Sequence, residues 1–143
     1  MNAEKKTLLD VRNVRKTYGS DIILDNVSTT VETGDVIAVI GSSGCGKSTF
    51  LRMLNGLERP TAGRILFEGT DITAKGTDIN RVRRKIGMVF QQFNLFGHMT
   101  VRENITLAPV KLKIMTPAQA AEKADELLAA VGLPDKANLY PAM

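Results

Sequence analysis

The first part of the chain alternates apolar and polar positions, as half-buried strands do. Residues 8–18 predict one strand, Gly19-Ser20-Asp21 predicts a turn, and residues 22–31 predict more strand. The expected inward set of the first strand is Leu9, Val11 and Val14. Another short strand is predicted between Gly63 and Gly69. Together these segments indicate a small antiparallel β subdomain.

Two apolar segments are unbroken and have no alternation. Val36–Ile40 predicts a buried parallel strand, and Ile86–Phe90 predicts a second core strand that ends at the polar pair Gln91-Gln92. Strands covered on both faces have this composition, because neither face meets water. The two segments therefore predict an α/β core beside the β subdomain.

Helical spacing and end signals predict four helices. The first follows a glycine-rich segment and ends near Gly56, and a short one is expected from Asp78 to Lys85. A third is expected from Val101 to Leu107, with Thr100 as its N-cap. The fourth starts with the capping box Thr116-Pro117-Ala118-Gln119 and runs to about Val131. Its expected apolar face is Ala121, Ala124, Leu127, Leu128 and Val131.

The segment between the apolar run and the first helix fits the phosphate-loop pattern G-x-x-x-x-G-K-[ST]. Its residues are Gly41, Ser42, Ser43, Gly44, Cys45, Gly46, Lys47, Ser48 and Thr49. We expect the three glycines to take positive φ, so that backbone N–H groups surround an anion at the start of the helix. Lys47 should reach the β- and γ-phosphates of a nucleoside triphosphate, and the Ser48 hydroxyl should ligate Mg²⁺. The predicted ligands are ATP and Mg²⁺.

Composition narrows the class of protein. The chain has 143 residues, 43% of them hydrophobic, and a net charge of +4, which suits one globular domain. Cys45 is its only cysteine, so these residues alone supply no disulfide and no cysteine metal site. The basic run 81–85 is interpreted as a solvated helix face, since no aromatic-interleaved basic stripe supports nucleic-acid binding. With no apolar run of about 20 residues and no signal-peptide core, we expect a cytoplasmic location.

The motifs and their order resemble the ATP-binding subunit of ABC transporters, and the likeness covers essentially the whole chain. Within that family the chain looks most like the polar amino-acid uptake group. The residues that carry the resemblance are Tyr18, the phosphate loop, residues 55–60, the stretch 84–96 with 98–101, and residues 107–110. The implied fold class is α/β, an incomplete P-loop NTPase core with an antiparallel β subdomain and the start of a helical subdomain. The expected division is 1–92 for β subdomain and core and 93–143 for the helical part.

The resemblance also implies roles for two residues outside the phosphate loop. Tyr18 stands where the family has an aromatic that stacks on adenine; by spacing alone it would be a half-buried tyrosine at a strand end. Gln91 stands at the family's Q-loop glutamine, which contacts Mg²⁺ or water; by spacing alone it would simply end a strand. Gln92 is the neighbouring alternative.

The resemblance implies partners for the chain. They are integral membrane permease subunits, a second copy of the ATPase subunit and, indirectly, a periplasmic or extracellular binding protein, with the subunit peripheral on the inner face of the membrane. Residues 93–100 would form the docking surface, with Gly97 where this group usually has proline. His98, the only histidine, is expected to be a surface loop residue.

The LSGGQ signature, the Walker B aspartate, the catalytic glutamate and the switch histidine of the family have no counterpart among these residues. Phosphoryl transfer to water needs a residue that positions the attacking water, so we expect a fragment that binds nucleotide weakly and hydrolyses ATP negligibly. We also expect an apolar sheet edge to be left uncovered. Two alternatives stay open: an ABC-type module not coupled to transport, and another P-loop enzyme such as a kinase.

Overall fold

The computed structural model describes residues 5–92 and 94–141. One compact unit ends at Met88 and a second begins at Val89. The first unit contains strands β1 (Thr7–Tyr18), β2 (Asp21–Glu32), β3 (Ala62–Phe67) and β4 (Thr70–Asp71), and helices α1 (Lys47–Leu54) and α2 (Ile79–Arg83). The second contains helices α3 (Val101–Lys111) and α4 (Pro117–Ala130) and a 3₁₀ turn at Pro134–Lys136.

The four strands form one sheet in the order β2-β1-β3-β4, and every neighbouring pair is antiparallel. This confirms the antiparallel layer predicted from the alternating segments, including the strand between Gly63 and Gly69. β1 bends at Asn13, where φ is 48°, and the side chain of Asn13 donates to Asn26 across the hairpin. The register shifts at this point, so the bend is a bulge that lets two long strands twist together.

The core of the first unit lies between the sheet and the two helices. Val11 and Val14 are buried as expected, and Leu9 packs against them while partly exposed. The whole buried cluster is Val11, Val14, Phe50, Met53, Ile65, Ile72 and Val82. Because Phe50 and Met53 belong to it, α1 is fixed on the sheet by its own apolar face.

The two unbroken apolar segments do not form the predicted strands. Residues 36–40 have no regular structure, with Val36 99% and Ile40 92% exposed. Residues 86–90 are likewise irregular, and Val89 is 92% exposed. No strand among the described residues pairs with either segment. Unpaired strands leave their backbone N–H and C=O groups to water, so an apolar sequence alone does not hold them extended in a sheet.

Most helix ends in the structure agree with the sequence signals. Asp78, Thr100 and Thr116 each accept hydrogen bonds from backbone N–H groups at the starts of α2, α3 and α4, and the latter two complete capping boxes. α3 extends beyond the predicted end and includes Pro109. The predicted apolar face of α4 needs correction. Its buried residues are Ala120, Ala124 and Leu128, while Leu127 and Val131 are exposed.

In the second unit, α3 and α4 pack together and the C-terminal turn closes onto α3. The backbone N–H groups of Val101 and Arg102 donate to the carbonyl oxygens of Leu139 and Ala137, at 2.9 Å each. The Arg102 guanidinium also pairs with Asp125 of α4 at 2.6 Å. In the part of the chain that the structure describes, no helix is long and apolar enough to cross a membrane.

Candidate nucleotide site

The phosphate-loop segment is an exposed turn that leads directly into α1. Gly44 and Gly46 have φ of 79° and 93°, as expected, and Gly46 is the residue before the first helical position. The prediction of positive φ at Gly41 is wrong. Gly41 is instead tightly approached, since a Cβ placed there would lie 2.6 Å from the sulfur of Cys45. That sulfur ends a short side chain that can rotate away, so the requirement for glycine at 41 is weaker than at 44 and 46.

The start of α1 differs from the starts of the other helices in the described chain. No side chain caps it, whereas Asp78, Thr100 and Thr116 cap α2, α3 and α4. The first four N–H groups of any helix have no partner within the helix, and here they face the glycine turn. An uncapped start carries partial positive charge and is therefore ready to accept an anion.

Lys47 places a full positive charge at the same point. Its ammonium donates to the carbonyl oxygens of Gly41 and Ser42, both at 2.7 Å, and lies 3.7 Å from the sulfur of Cys45. These bonds hold the side chain back across the loop it follows. The Lys47 ammonium thus lies across the loop that leads into the uncapped start of α1, which places two sources of positive charge together, as a phosphate group requires.

Tyr18 lies beside this loop because of the β1–β2 register. Thr17 and Tyr18 pair with Ile22 and Asp21 at the hairpin end. A Cβ placed on Gly46 would lie 2.9 Å from the Ile23 side chain, so the loop abuts β2 at this end of the hairpin. Tyr18 is 48% exposed. The structure therefore brings an exposed aromatic ring and the phosphate-loop segment together.

The remaining predicted ligands are exposed. Ser48 lies in the first turn of α1 and Gln91 in a bend of the second unit, next to Gln92. Among the described residues, no group of three His, Cys, Asp or Glu side chains could hold a metal by itself. One serine hydroxyl fits Mg²⁺ that keeps water and nucleotide phosphates as its other ligands. The roles of Ser48 and Gln91 stay predictions.

The predicted docking segment belongs to the second unit. Phe93 lies outside the described residues. Asn104 of α3 holds the segment that follows, accepting from the Phe96 backbone N–H at 2.8 Å and donating to the carbonyl oxygens of Phe96, Met99 and Thr100. His98 is exposed, as expected, with its ring 6.0 Å from that of Phe96.

Sequence reasoning missed Lys16 and Glu58, which surround Tyr18. The Lys16 ammonium is 2.5 Å from the Glu58 carboxylate and 4.7 Å from the centre of the Tyr18 ring. A hydrogen bond from Lys16 is the main reason that the pKa of Glu58 is lowered. The one sequence signal was the spacing of Lys16 and Tyr18, since residues two apart on a strand share a face.

These features define a mixed α/β protein with a glycine-rich loop of the phosphate-loop pattern beside an antiparallel sheet. A family model described as ABC transporter matches residues 24–142. The chain belongs to the ABC transporter family. This membership disfavours the kinase alternative.

The relatives refine the comparison. The chain is 51% identical over 134 residues to the arginine transport ATP-binding protein ArtM of Bacillus subtilis, covering 94% of this chain and 56% of that protein. It is 47% identical over 135 residues to the glutamine transport ATP-binding protein GlnQ of Bacillus subtilis, with the same coverage of both. The chain thus spans about half the length of the curated relatives it matches.

A solved structure supports the same assignment. The ATP-binding cassette MJ0796, in a dimeric post-hydrolysis state bound to ADP and Pi, is similar with a TM-score of 0.84 and 34% identity. The match covers 94% of this chain and 62% of that one. The P-loop NTPase fold class expected from the sequence is confirmed, although the central strands at 36–40 and 86–90 are not formed here.

Proposed function

We propose that this chain is the ATP-binding part of a subunit that energises amino-acid uptake. The observation that carries the proposal is the uncapped start of α1, with the Lys47 ammonium folded over the loop that precedes it. The two relatives named for arginine and glutamine transport, 51% and 47% identical, support the amino-acid class.

The proposed binding mode follows the geometry of the first unit. The triphosphate lies on the glycine turn, where the N–H groups of α1 and the Lys47 ammonium face its oxygens. Ser48 holds Mg²⁺ together with the phosphates, and Tyr18 stacks on the adenine. Gln91 contacts the metal or the water in the assembled subunit.

Partners and location form part of the same proposal. The subunit acts with membrane permease subunits and a second copy of itself at the inner face of the membrane, and a periplasmic or extracellular binding protein supplies the amino acid. Residues 94–100, held by Asn104, are the proposed contact with the permease. Exposed Leu95 and Phe96 give this segment the apolar surface that a buried contact needs.

Nucleotide binding is the first test. We expect Lys47→Ala to weaken binding of Mg²⁺-ATP about a hundredfold, because a charged hydrogen-bond partner of the phosphates is lost. Titration calorimetry on the 143-residue chain measures it. Lys75→Ala, a substitution at an exposed lysine outside the loop, is the matched control and should bind as the parent does. Equal binding by all three proteins would refute the proposed site.

Turnover separates binding from catalysis. We propose that the 143-residue chain alone releases almost no phosphate from ATP, since it has no counterpart of the family's catalytic glutamate to orient the attacking water. Sustained Mg²⁺-dependent turnover that Lys47→Ala abolishes would contradict this. Co-purification with a membrane permease tests the transport role, and its failure in the assembled subunit would favour the alternative of an ABC module without a transporter.

A further inference from the structure

Lys16 is a buried cation that the proposed binding mode does not use. It is 8% exposed, although it lies on a strand near the edge of the site. A buried ammonium is costly unless its donors are satisfied. Here two of its three donors have partners, the Glu58 carboxylate at 2.5 Å and the carbonyl oxygen of Arg59 at 2.9 Å.

The remaining side of the Lys16 ammonium faces the Tyr18 ring. Lys16 Nζ lies over the ring at 4.7 Å from its centre, within the range of a cation–π interaction. The Tyr18 side chain also lowers the pKa of the Glu58 carboxyl, after the larger effect of Lys16. The ring is therefore held by the Lys16 ammonium on one face, next to the carboxylate that holds this ammonium.

The arrangement leaves one face of the ring available. Lys16 is buried against one face, while Tyr18 as a whole remains 48% exposed. Lys16 pairs with Leu24 across the hairpin, and a Cβ on Gly46 would lie 3.2 Å from the Leu24 side chain. The held ring thus stands next to the phosphate loop, where a nucleotide bound there would place its base.

We propose that Lys16 is a positioning residue for the nucleotide base, with its ammonium held by Glu58 so that one face of Tyr18 is covered and the other is presented for stacking. The ammonium also attracts the π electrons of the ring toward itself. The opposite face is then less negative and repels a stacked aromatic base less. This inference rests on the proposed function and adds a determinant of base affinity separate from phosphate affinity.

The test compares two ligands, Mg²⁺-ATP and inorganic tripolyphosphate with Mg²⁺, which share the phosphates but not the base. We expect Lys16→Met to weaken ATP binding about three- to tenfold and to leave tripolyphosphate binding unchanged. Lys16→Arg, which keeps the cation, should restore most of the ATP affinity. Arg15→Met is the matched control, because Arg15 is the neighbouring cation on the other face of β1 and its guanidinium pairs with exposed Asp25.

A double-mutant cycle shows whether Lys16 acts through the ring. In a Tyr18→Ala background, Lys16→Met should cause no further loss of ATP affinity. An equal loss with and without Tyr18 would overturn the proposal, as would an equal loss for both ligands, which would mean a phosphate or folding role. Glu58→Gln should repeat the ATP-selective loss and serves if Lys16→Met does not fold.

A spectroscopic readout needs no nucleotide. The chain has no tryptophan and two tyrosines, so Tyr140→Phe leaves Tyr18 as the only tyrosine signal. Lys16→Met should change the near-ultraviolet circular dichroism of Tyr18 in that background, and Arg15→Met should not. Parent protein that binds tripolyphosphate and ATP equally would refute base stacking and this inference but leave the phosphate site standing. Parent protein that binds neither would refute the proposed function itself.

Discussion

Strands β1 and β3 and the segment 36–40 all have sequences that predict strands, but only β1 and β3 form them. Val14 of β1 is fully buried, and β1 forms backbone hydrogen bonds with β2 on one side and with β3 on the other. In the segment, Val36 is 99% exposed and no described strand pairs with it. The difference shows that hydrophobic composition marks a strand candidate, while hydrogen-bonding partners decide whether the strand forms.

The length of the connection between two strands explains why the β1–β2 hairpin formed and segment 36–40 did not form a strand. An antiparallel hairpin needs only a short turn, such as the one between Tyr18 and Asp21. Parallel strands need partners brought back by a long crossover. No strand among the described residues returns beside segment 36–40 or segment 86–90, and both segments stay irregular.

The largest expected effect concerns the point where β1 and β3 approach most closely. Gly63 has a φ of 81°, and a Cβ there would overlap the backbone oxygens of Arg12 and Asn13. We expect Gly63→Ala to lower the free energy of unfolding by about 3 kcal/mol, from left-handed strain and overlap together. Urea denaturation measures it.

Gly69→Ala is the control for Gly63→Ala, because Gly69 has a similar φ of 78° but no atom near its Cβ position. It should cost only the strain, about 1 kcal/mol. Equal losses in the free energy of unfolding for the two variants would mean that close contact between β1 and β3 adds nothing to the effect of Gly63→Ala. The sheet would then be no better packed at this point than the exposed segment 36–40.

The second effect compares the two regions with the same substitution. Val14→Ala removes two buried methyl groups and should cost about 2 kcal/mol. Val36→Ala changes an exposed side chain and should shift the free energy of unfolding by less than about 0.5 kcal/mol. Both values come from urea denaturation of the same chain. A loss at Val36 as large as at Val14 would show that segment 36–40 is packed in solution, and the contrast would fail.

The smallest effect is a difference in acid sensitivity between the two units. Among the described residues, hydrogen bonds to the carboxylate are the main cause of a lowered pKa at five positions in the first unit: Asp10, Asp35, Glu58, Glu68 and Asp71. In the second unit the pKa of Glu103 is lowered in the same way, by Thr100.

The sign follows from the direction of these shifts. A carboxyl with a lowered pKa in the folded state stabilises above its ordinary value, 3.8 for Asp and 4.5 for Glu, and that stabilisation is lost as the pH falls below it. The sheet-bearing unit should therefore lose more stability than the helical unit between about pH 6 and about pH 3.5. Residue-resolved NMR during urea titration at both pH values measures this. A larger loss in the helical unit would contradict the prediction.

Local sequence signals predicted much of this fold correctly. The alternation in residues 8–18, the turn after Tyr18 and the caps at Thr100 and Thr116 all act over a few residues, and the structure has each of them. The apolar face of α4 was only half right. Leu127 and Val131 are exposed because α4 packs along Ala120, Ala124 and Leu128, and periodicity does not say which neighbouring stripe meets α3.

In the candidate site, too, the sequence predicted some features and the structure alone revealed others. The glycine turn, Lys47 and the start of α1 are contiguous in sequence, so their pattern was readable there. The side chains around Tyr18 could not be predicted from the sequence, because Lys16 and Glu58 are 42 residues apart and meet only in the folded chain.

The sequence by itself determined the hairpin, the helix caps and the phosphate-loop segment, because these depend on backbone preferences and hydrogen bonds between near neighbours. Only the tertiary structure decided that β3 pairs with β1, that Gly46 abuts β2 and that Lys16 lies over Tyr18. Those contacts join residues distant in the chain, so their stability depends on the three-dimensional packing that encloses them. Segment 36–40 is irregular for the same reason. Its apolar residues favour burial, but they do not specify the neighbouring strands that would bury them.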